Sequence, residues 1–162
     1  MRAYVAYDGG GVAGYVISTS TATALTVTDG TVHGSGNVIG GLVGYLHTSS
    51  VTNSTTSANV DGGEYIGGAF GEVYNAQIDN VDATGSVDSN DADDAYIAFF
   101  SKDSRYAGGF AGSISDSTVQ NSTATGIVTS EGDYTGGFVG QVYTSDIFDS
   151  SATGAVSGNE SV

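Results

Sequence analysis

Acidic side chains cluster at one place in the 162-residue chain, where they could hold a metal ion. Asp88, Asp91, Asp93 and Asp94 offer the oxygen ligands that Ca²⁺ prefers. Their spacing lacks the glycine at the sixth position and the glutamate at the twelfth that an EF-hand loop requires. We therefore expect a solvated acidic loop and no cofactor, with bound Ca²⁺ as the alternative.

Residues with catalytic potential are scattered rather than assembled. Asp79 with Asp116 or Asp149 could form the paired carboxylates of a glycoside hydrolase, but such pairs arise by chance in a chain this acidic. His33 and His47 stand apart from any matching serine or cysteine nucleophile. We expect no enzyme.

Hydroxyl side chains recur at aligned positions, in residues 55–57, 82–84, 123–125 and 151–153. A flat threonine ladder would suit ice binding, but Asp82 interrupts the row. Threonine is also common in solvated strands, which is the simpler interpretation.

Three Asn-x-Ser/Thr sequons begin at Asn53, Asn121 and Asn159. They would carry glycans if the chain were exported by a glycosylating host. The alternative is an asparagine turn or ladder, because Asn53, Asn80 and Asn121 occupy one repeat position.

The charge balance limits the partners. Eighteen acidic residues against three basic ones give a formal net charge of -15, so no basic stripe exists to bind nucleic acid. Such acidity suits either a secreted surface kept apart by self-repulsion or a protein of a high-salt environment. Cysteine is absent, which excludes disulfides and thiolate metal sites. We also expect no signal peptide and no membrane insertion.

A glycine-rich repeat organises the whole chain. Tyr-Thr-Gly-Gly-Phe-Val-Gly at 134–140 has near copies at 106–112, 65–71 and 38–44, and a degenerate copy at 9–14. The glycine pairs are 30, 27, 41 and 28 residues apart, so the third repeat contains an insertion. This period is typical of a solenoid.

We therefore predict an all-β fold, a β-solenoid (parallel β-helix) of about five rungs of 27–28 residues with one insertion loop. The predicted parts are an N-terminal strand at 1–7, a solenoid at 8–158 with the insert at 91–103, and a tail at 159–162. Aligned apolar positions predict inward columns. Two of these columns are Leu46, Val73, Ile114, Val142 and Val51, Ile78, Val119, Ile147.

These repeats resemble a known family. Gly41-Leu42-Val43-Gly44 matches the GLUG motif, Gly137-Phe138-Val139-Gly140 matches it nearly, and residues 119–128 are similar to the rest of that repeat. GLUG repeats occur in large bacterial and archaeal surface proteins, adhesins and some secreted peptidases, where they are non-catalytic. The resemblance implies a cell-surface role and no reaction.

The insert contains an apolar core of Tyr96, Ile97, Phe99 and Phe100. It could form a hairpin folded over its own rod, or a contact patch for another subunit or a receptor.

Solenoids protect their open ends with polar caps, and we expect none here. We therefore predict that copies stack head to tail into an extracellular, cell-surface or virion filament. In that hypothesis the strand with Tyr4, Val5 and Tyr7 completes a neighbour's rung. The alternative is a fragment of an adhesin or virus tail fibre that binds a cell-surface glycan or protein.

Overall fold

The computed structural model describes residues 2–5, 8–34, 37–89 and 105–158. Within these ranges all regular structure is β-strand, and there is no helix. In chain order the strands are β1 (Arg2–Val5), β2 (Asp8–Gly10), β3 (Ala13–Ile17), β4 (Thr21–Thr23), β5 (Thr26–Val27), β6 (Thr31–Gly34), β7 (Val38–Gly40), β8 (Val43–His47), β9 (Ser50–Thr56), β10 (Asn59–Asp61), β11 (Tyr65–Gly67), β12 (Phe70–Tyr74), β13 (Gln77–Ala83), β14 (Val87–Asp88), β15 (Tyr106–Gly108), β16 (Ala111–Ser115), β17 (Thr118–Gln120), β18 (Thr123–Ala124), β19 (Val128–Thr129), β20 (Tyr134–Gly136), β21 (Val139–Tyr143), β22 (Asp146–Phe148), β23 (Ser151–Ala152) and β24 (Val156–Ser157).

The strands form four parallel sheets that run the length of a rod. Sheet A is β1-β6-β10-β14-β19-β24, sheet B is β2-β7-β11-β15-β20, and sheet C is β3-β8-β12-β16-β21. Sheet D contains β9 and β13 in the middle, with the pairs β4/β5, β17/β18 and β22/β23 at the other levels. Each turn of the chain passes through B, C, D and A, so rungs one to five begin at β2, β7, β11, β15 and β20. The predicted β-solenoid of about five rungs is confirmed.

The register places equivalent residues of successive repeats directly above one another. In sheet C, Leu46 pairs with Val73, Val73 with Ile114, and Ile114 with Val142. The first three side chains are fully buried, as the inward columns predict. Parallel pairing without slippage is what keeps one apolar face continuous, because a shift of one residue would turn every column outward.

The interior is divided into two packed clusters. The larger one contains Phe70 and Phe110, whose ring centroids are 5.5 Å apart, and Phe138 stacks on Phe110 at 4.6 Å. The smaller one joins sheets A and B through residues such as Val60 and Ile66. Where repeat three has Ala69-Phe70, repeat four has Phe110-Ala111, so the ring moves to the other member of the pair while both pairs stay buried.

Glycines of the repeat motif are required by close backbone approach. A Cβ on Gly68 would lie 2.2 Å from the carbonyl oxygen of Gly109 in the next rung. A Cβ on Gly71 would lie 2.6 Å from the backbone nitrogen of Ile39, because sheets B and C pass close to each other there. Glycine is therefore required at Gly68 by the next rung and at Gly71 by the neighbouring sheet.

The corners within and beside sheet D use left-handed backbone. Asn53, Asn80 and Asn121 have φ between 49° and 55°, and Asp149 continues the column with φ 49°. Asparagine and aspartate tolerate this conformation better than other residues with a Cβ. The repeated asparagine is therefore explained by the bend of each rung.

Candidate functional site

The rung at the C-terminal end of the rod exposes positions that are core elsewhere. Val142 is 47 % exposed, although its column neighbours in the inner rungs are fully buried. Phe138, Val139 and Ile147 are only partly buried against the same core. This end combines apolar side chains with the edges of four sheets, a surface that can accept a further rung.

The opposite end has matching features. Val12 is 48 % exposed, and a cavity of about 170 Å³ opens into the core between Gly11, Val27, Val32 and Ala58. Its lining combines Val27, Val32 and Ala58, which belong to or pack against the core clusters, with the polar residues Thr26, Thr28, Asp29 and Thr31.

Sheet A has one strand more than its neighbours. Strand β1 pairs in parallel with β6, with Arg2 opposite Thr31 and Val5 opposite Gly34. Sheets B and C have five strands and sheet D has five levels, whereas sheet A has six strands. The backbone of Tyr4 and Val5 thus pairs within its own rod, and only the other edge of β1 faces away from it.

A tyrosine ladder runs along sheet B towards the C-terminal rung. Tyr65 stacks on Tyr106 at 4.9 Å, and Tyr106 stacks on Tyr134 at 4.7 Å. Burial raises the pKa of both Tyr65 and Tyr106 above the ordinary value of 10.0, and the Glu64 carboxylate raises both further. Burial also raises the pKa of Glu64.

The outer surface of sheet C carries a second, mainly aromatic set of side chains, which we call the aromatic face. It consists of Tyr15, Ile17, Tyr45, His47 and Tyr74. Beside it lies the polar groove, a cavity of about 250 Å³ lined by Thr19, Ser20, Thr21, Thr48, Ser49, Ser50, Asn75 and Gln77. Of these residues, only His47 was considered from the sequence, and then for catalysis rather than for binding. The signal that could have found them is the outward position of each aromatic residue in the aligned repeats.

Several predicted contact residues lie outside the described part of the chain. The contact residues outside it are Tyr7, Tyr96, Ile97, Phe99 and Phe100. Three of the four predicted metal ligands, Asp91, Asp93 and Asp94, also lie outside it. Asp88 is in β14, where it is exposed and pairs in register with Asp61 and Thr129. In residues 2–5, 8–34, 37–89 and 105–158, no group of three or more His, Cys, Asp or Glu side chains is placed to hold a metal ion.

Hydrogen bonds join the two chain segments that flank the insert, at Ser89 and Arg105. Arg105 is buried and its guanidinium donates a hydrogen bond to the carbonyl oxygen of Ser89. The Ser89 hydroxyl also contacts the Ser130 hydroxyl at 2.6 Å in the next rung. Arg105, one of the three basic residues of the chain, thus connects the two segments that flank the insert.

The predicted glycosylation sites fall on the asparagine corners. Asn80 donates from Nδ2 to Oδ1 of Asn53 at 2.8 Å, and Asn121 donates from Nδ2 to Oδ1 of Asp79 at 2.8 Å. Both Asn53 and Asn121 are exposed, and Asn159 lies outside the described residues. The alternative interpretation, an asparagine ladder, is present in the structure, while glycosylation stays a prediction.

One of the two isolated histidines and one member of the hydroxyl ladder have side-chain partners within the rod. His33 Nδ1 lies 3.0 Å from Asp61 Oδ2, and Thr123 donates to Asp82 Oδ1 at 2.5 Å.

The described part of the chain contains no helix long and apolar enough to cross a membrane.

Comparison with known protein families finds the GLUG motif three times, at residues 35–61, 103–129 and 131–157. Together these stretches make up half of the chain, and they coincide with rungs two, four and five. No curated protein and no solved structure gives a significant match. GLUG β-solenoid repeats suggest a structural or adhesin-like domain. Because the three matched motifs, on rungs two, four and five of the rod, cover half of the chain, it belongs to the family of GLUG-motif repeat proteins.

Proposed function

We propose that the protein is a structural, non-catalytic subunit that assembles end to end into an extracellular filament, on a cell surface or a virion. The main support is the contrast between Ile114 and Val142, which are equivalent positions of one column. Ile114 is fully buried because rungs lie on both sides of it, whereas Val142 is 47 % exposed. A rung from a second copy would cover Val142 and pair the open edge of sheet C.

The register of the rod predicts the register of the junction. If rung five of one copy continues into rung one of the next, Val142 lies opposite Val16 and Ile147 lies opposite Ala22. Phe138 then faces Val12, which is 48 % exposed. Both sides of the junction are apolar at core positions, as a buried contact requires.

Sheet A constrains how the copies meet. A junction that continues sheets B, C and D leaves one strand position in sheet A, between β19 of one copy and β6 of the next. Two strands compete for it: β24 of the first copy and β1 of the next. Because β1 pairs over four residues and β24 over two, we expect β1 to take the position and β24 to be displaced. The N-terminal strand would then complete the neighbour's rung.

A role without catalysis is supported by the family, because GLUG β-solenoids are typical of structural, non-enzymatic domains. An extracellular location is supported by the surface role that the family resemblance implies and by the net charge of -15. Such a charge keeps isolated rods apart in solution and makes assembly dependent on salt.

Negative-stain electron microscopy and sedimentation velocity of the full chain test this proposal. We expect unbranched rods one solenoid wide, whose mean length grows with protein concentration. A monomer at about 100 μM in high salt, a concentration at which contacts of even modest affinity would form, contradicts the proposal. Fibres much wider than one coil contradict it too.

A second function is favoured by the aromatic face of sheet C. In this alternative the chain is the binding module of an adhesin or virus tail fibre, and flanking parts of a larger protein cover the rod ends. Tyr74 is 39 % exposed in this face although it belongs to rung three, which has rungs on both sides. Monomeric behaviour together with ligand binding would favour this alternative over the filament.

A further inference from the structure

The aromatic face is a continuous surface built by the parallel register. Tyr15 and Tyr45 are opposite each other and stack with ring centroids 4.8 Å apart and planes 16° apart. Tyr45 contacts His47 at 5.9 Å, and His47 contacts Tyr74 at 5.1 Å. Three rungs therefore contribute to one aromatic surface, of which Tyr15 and Tyr74 are 53 % and 39 % exposed.

The polar groove begins where the strands of this face end. Thr48 follows His47 directly, and Asn75 follows Tyr74. Asn75 Nδ2 lies 3.4 Å from Thr48 Oγ1, so the groove's walls are held across two rungs. All eight residues that line the groove carry hydroxyl or amide side chains, and none is charged. Each can both donate and accept hydrogen bonds.

An aromatic surface next to hydroxyl and amide groups matches the chemistry of a sugar. A pyranose ring has an apolar face of C–H groups that packs on aromatic rings, and a rim of hydroxyls that exchange hydrogen bonds with uncharged polar side chains. Binding sites of small molecules commonly combine these two kinds of surface. The length of the face, across three rungs, suits several sugar units rather than one.

The charge of the chain selects among sugars. With a net charge of -15, the protein repels anionic ligands, and Glu72 pairs in register with Tyr45 at the edge of the face. Sialylated or sulfated chains would bring like charges together there. We propose that the aromatic face and the polar groove form a binding site for a neutral oligosaccharide.

This inference does not depend on filament formation, because every residue that carries it belongs to rungs one to three of a single copy. Titration calorimetry of the full chain with neutral hexasaccharides of glucose, mannose and N-acetylglucosamine tests it. We expect at least one of them to bind, with preference over a sialylated and a sulfated oligosaccharide. Absence of binding to all three at about 5 mM, or preference for the anionic probes, overturns the proposal.

Variants locate the site. Tyr15→Ala and Tyr74→Ala should each weaken binding about tenfold, because each removes an exposed aromatic ring from the surface that the sugar covers. Gln77→Ala alters the groove at an exposed position and should also weaken binding while leaving the core intact. Tyr134→Ala is the matched control, because Tyr134 is a similarly exposed tyrosine of sheet B.

The control should bind as the unmodified chain does, and circular dichroism should show the same strand content for all variants. If Tyr15→Ala, Tyr74→Ala and Gln77→Ala all bind with unchanged affinity, the site is elsewhere and the assignment is wrong. An equal loss in Tyr134→Ala would also overturn it, because binding would then not depend on the aromatic face.

Discussion

The carbonyl oxygen of Gly137 lies 2.3 Å from the point that a Cβ on Gly109 would occupy. The same contact links Gly41 to Gly68 and Gly68 to Gly109, so each rung excludes a side chain at this position in the rung before it. Around Gly137 itself a Cβ would meet only the side chains of Val156 and Ala152, at 3.3 and 3.4 Å. The rod would lack room for a Cβ at Gly137 only if another rung were stacked there.

Because a Cβ lacks room at Gly109 but not at Gly137, alanine variants at these two positions can distinguish folding of one rod from assembly of several. Gly109→Ala should destabilise the single rod by about 1–3 kcal/mol, because the backbone of the next rung must move. Gly137→Ala should change the free energy of unfolding by less than about 0.5 kcal/mol but abolish growth of rods. Guanidinium unfolding at low salt and electron microscopy at high salt measure the two effects. Filaments of normal length in Gly137→Ala would argue against rung-on-rung stacking.

Engineered disulfides can show which strand occupies sheet A at the junction. Tyr4 and Thr129 belong to one column of sheet A but are four strand spacings apart in a single rod, about 19 Å. If β1 completes the neighbour's rung, Tyr4→Cys with Thr129→Cys should form disulfide-linked oligomers on oxidation.

The opposite arrangement has its own cysteine pair. If β24 stays in place and β1 is displaced, His33→Cys with Ser157→Cys should link instead, because these positions would be adjacent across the junction. The chain has no native cysteine, so bands on a non-reducing gel report the engineered pair alone. Equal linking by both pairs, or linking by neither in samples that contain rods, would contradict a single junction register.

Salt should promote assembly. Each copy carries a net charge of -15, and ends that approach one another repel until the charges are screened. The screening length falls from about 30 Å at 0.01 M salt to about 3 Å at 1 M. Sedimentation should therefore show longer rods at about 1 M sodium chloride than at about 0.05 M. Gly137→Ala is the control and should stay monomeric at both. Shortening of rods by salt would indicate attraction between opposite charges instead.

Alkaline pH should destabilise the fold through Tyr65 and Tyr106. Burial raises the pKa of both phenols on folding, so the folded state holds these protons more tightly than the unfolded chain does. Their contribution to stability is complete below about pH 10 and is lost as the pH rises through the folded-state values.

Urea unfolding between about pH 9 and pH 11.5 measures this loss. Tyr65→Phe combined with Tyr106→Phe should lose less stability over that interval than the unmodified chain. Tyr143→Phe, at an exposed position of the last rung, is the control and should follow the unmodified chain. Identical pH dependence of the double variant and the unmodified chain would show that the two phenols do not titrate differently on folding.

Position along the rod should determine the effect of a core truncation. Phe110 is fully buried between Phe70 and Phe138, so Phe110→Ala should lower the free energy of unfolding by about 3–5 kcal/mol. Phe138 is partly buried on the last rung, and Phe138→Ala should cost about half as much at low salt. Denaturant unfolding checks this. Equal losses would mean that the last rung is as well covered as the inner ones.

The solenoid could be predicted from local sequence because its information repeats. Glycine pairs return at nearly constant intervals, and apolar residues such as Leu46 and Val73 recur at the same offset from them. Any fold that stacks these repeats in register must place such residues in one column, because side chains alternate strictly along a strand. The columns, the five rungs and the asparagine corners all follow from that periodicity.

What distinguishes the ends and faces of the rod was decided by the tertiary structure. Val142 and Ile114 have the same place in the repeat, and only the stacking order makes one exposed and the other buried. Tyr15 and Tyr74 are far apart in sequence, and parallel pairing through rung two brings them onto one surface. The sixth strand of sheet A likewise depends on where β1 pairs. Periodicity determines what each rung contains, whereas contacts between rungs determine which surfaces remain open to partners.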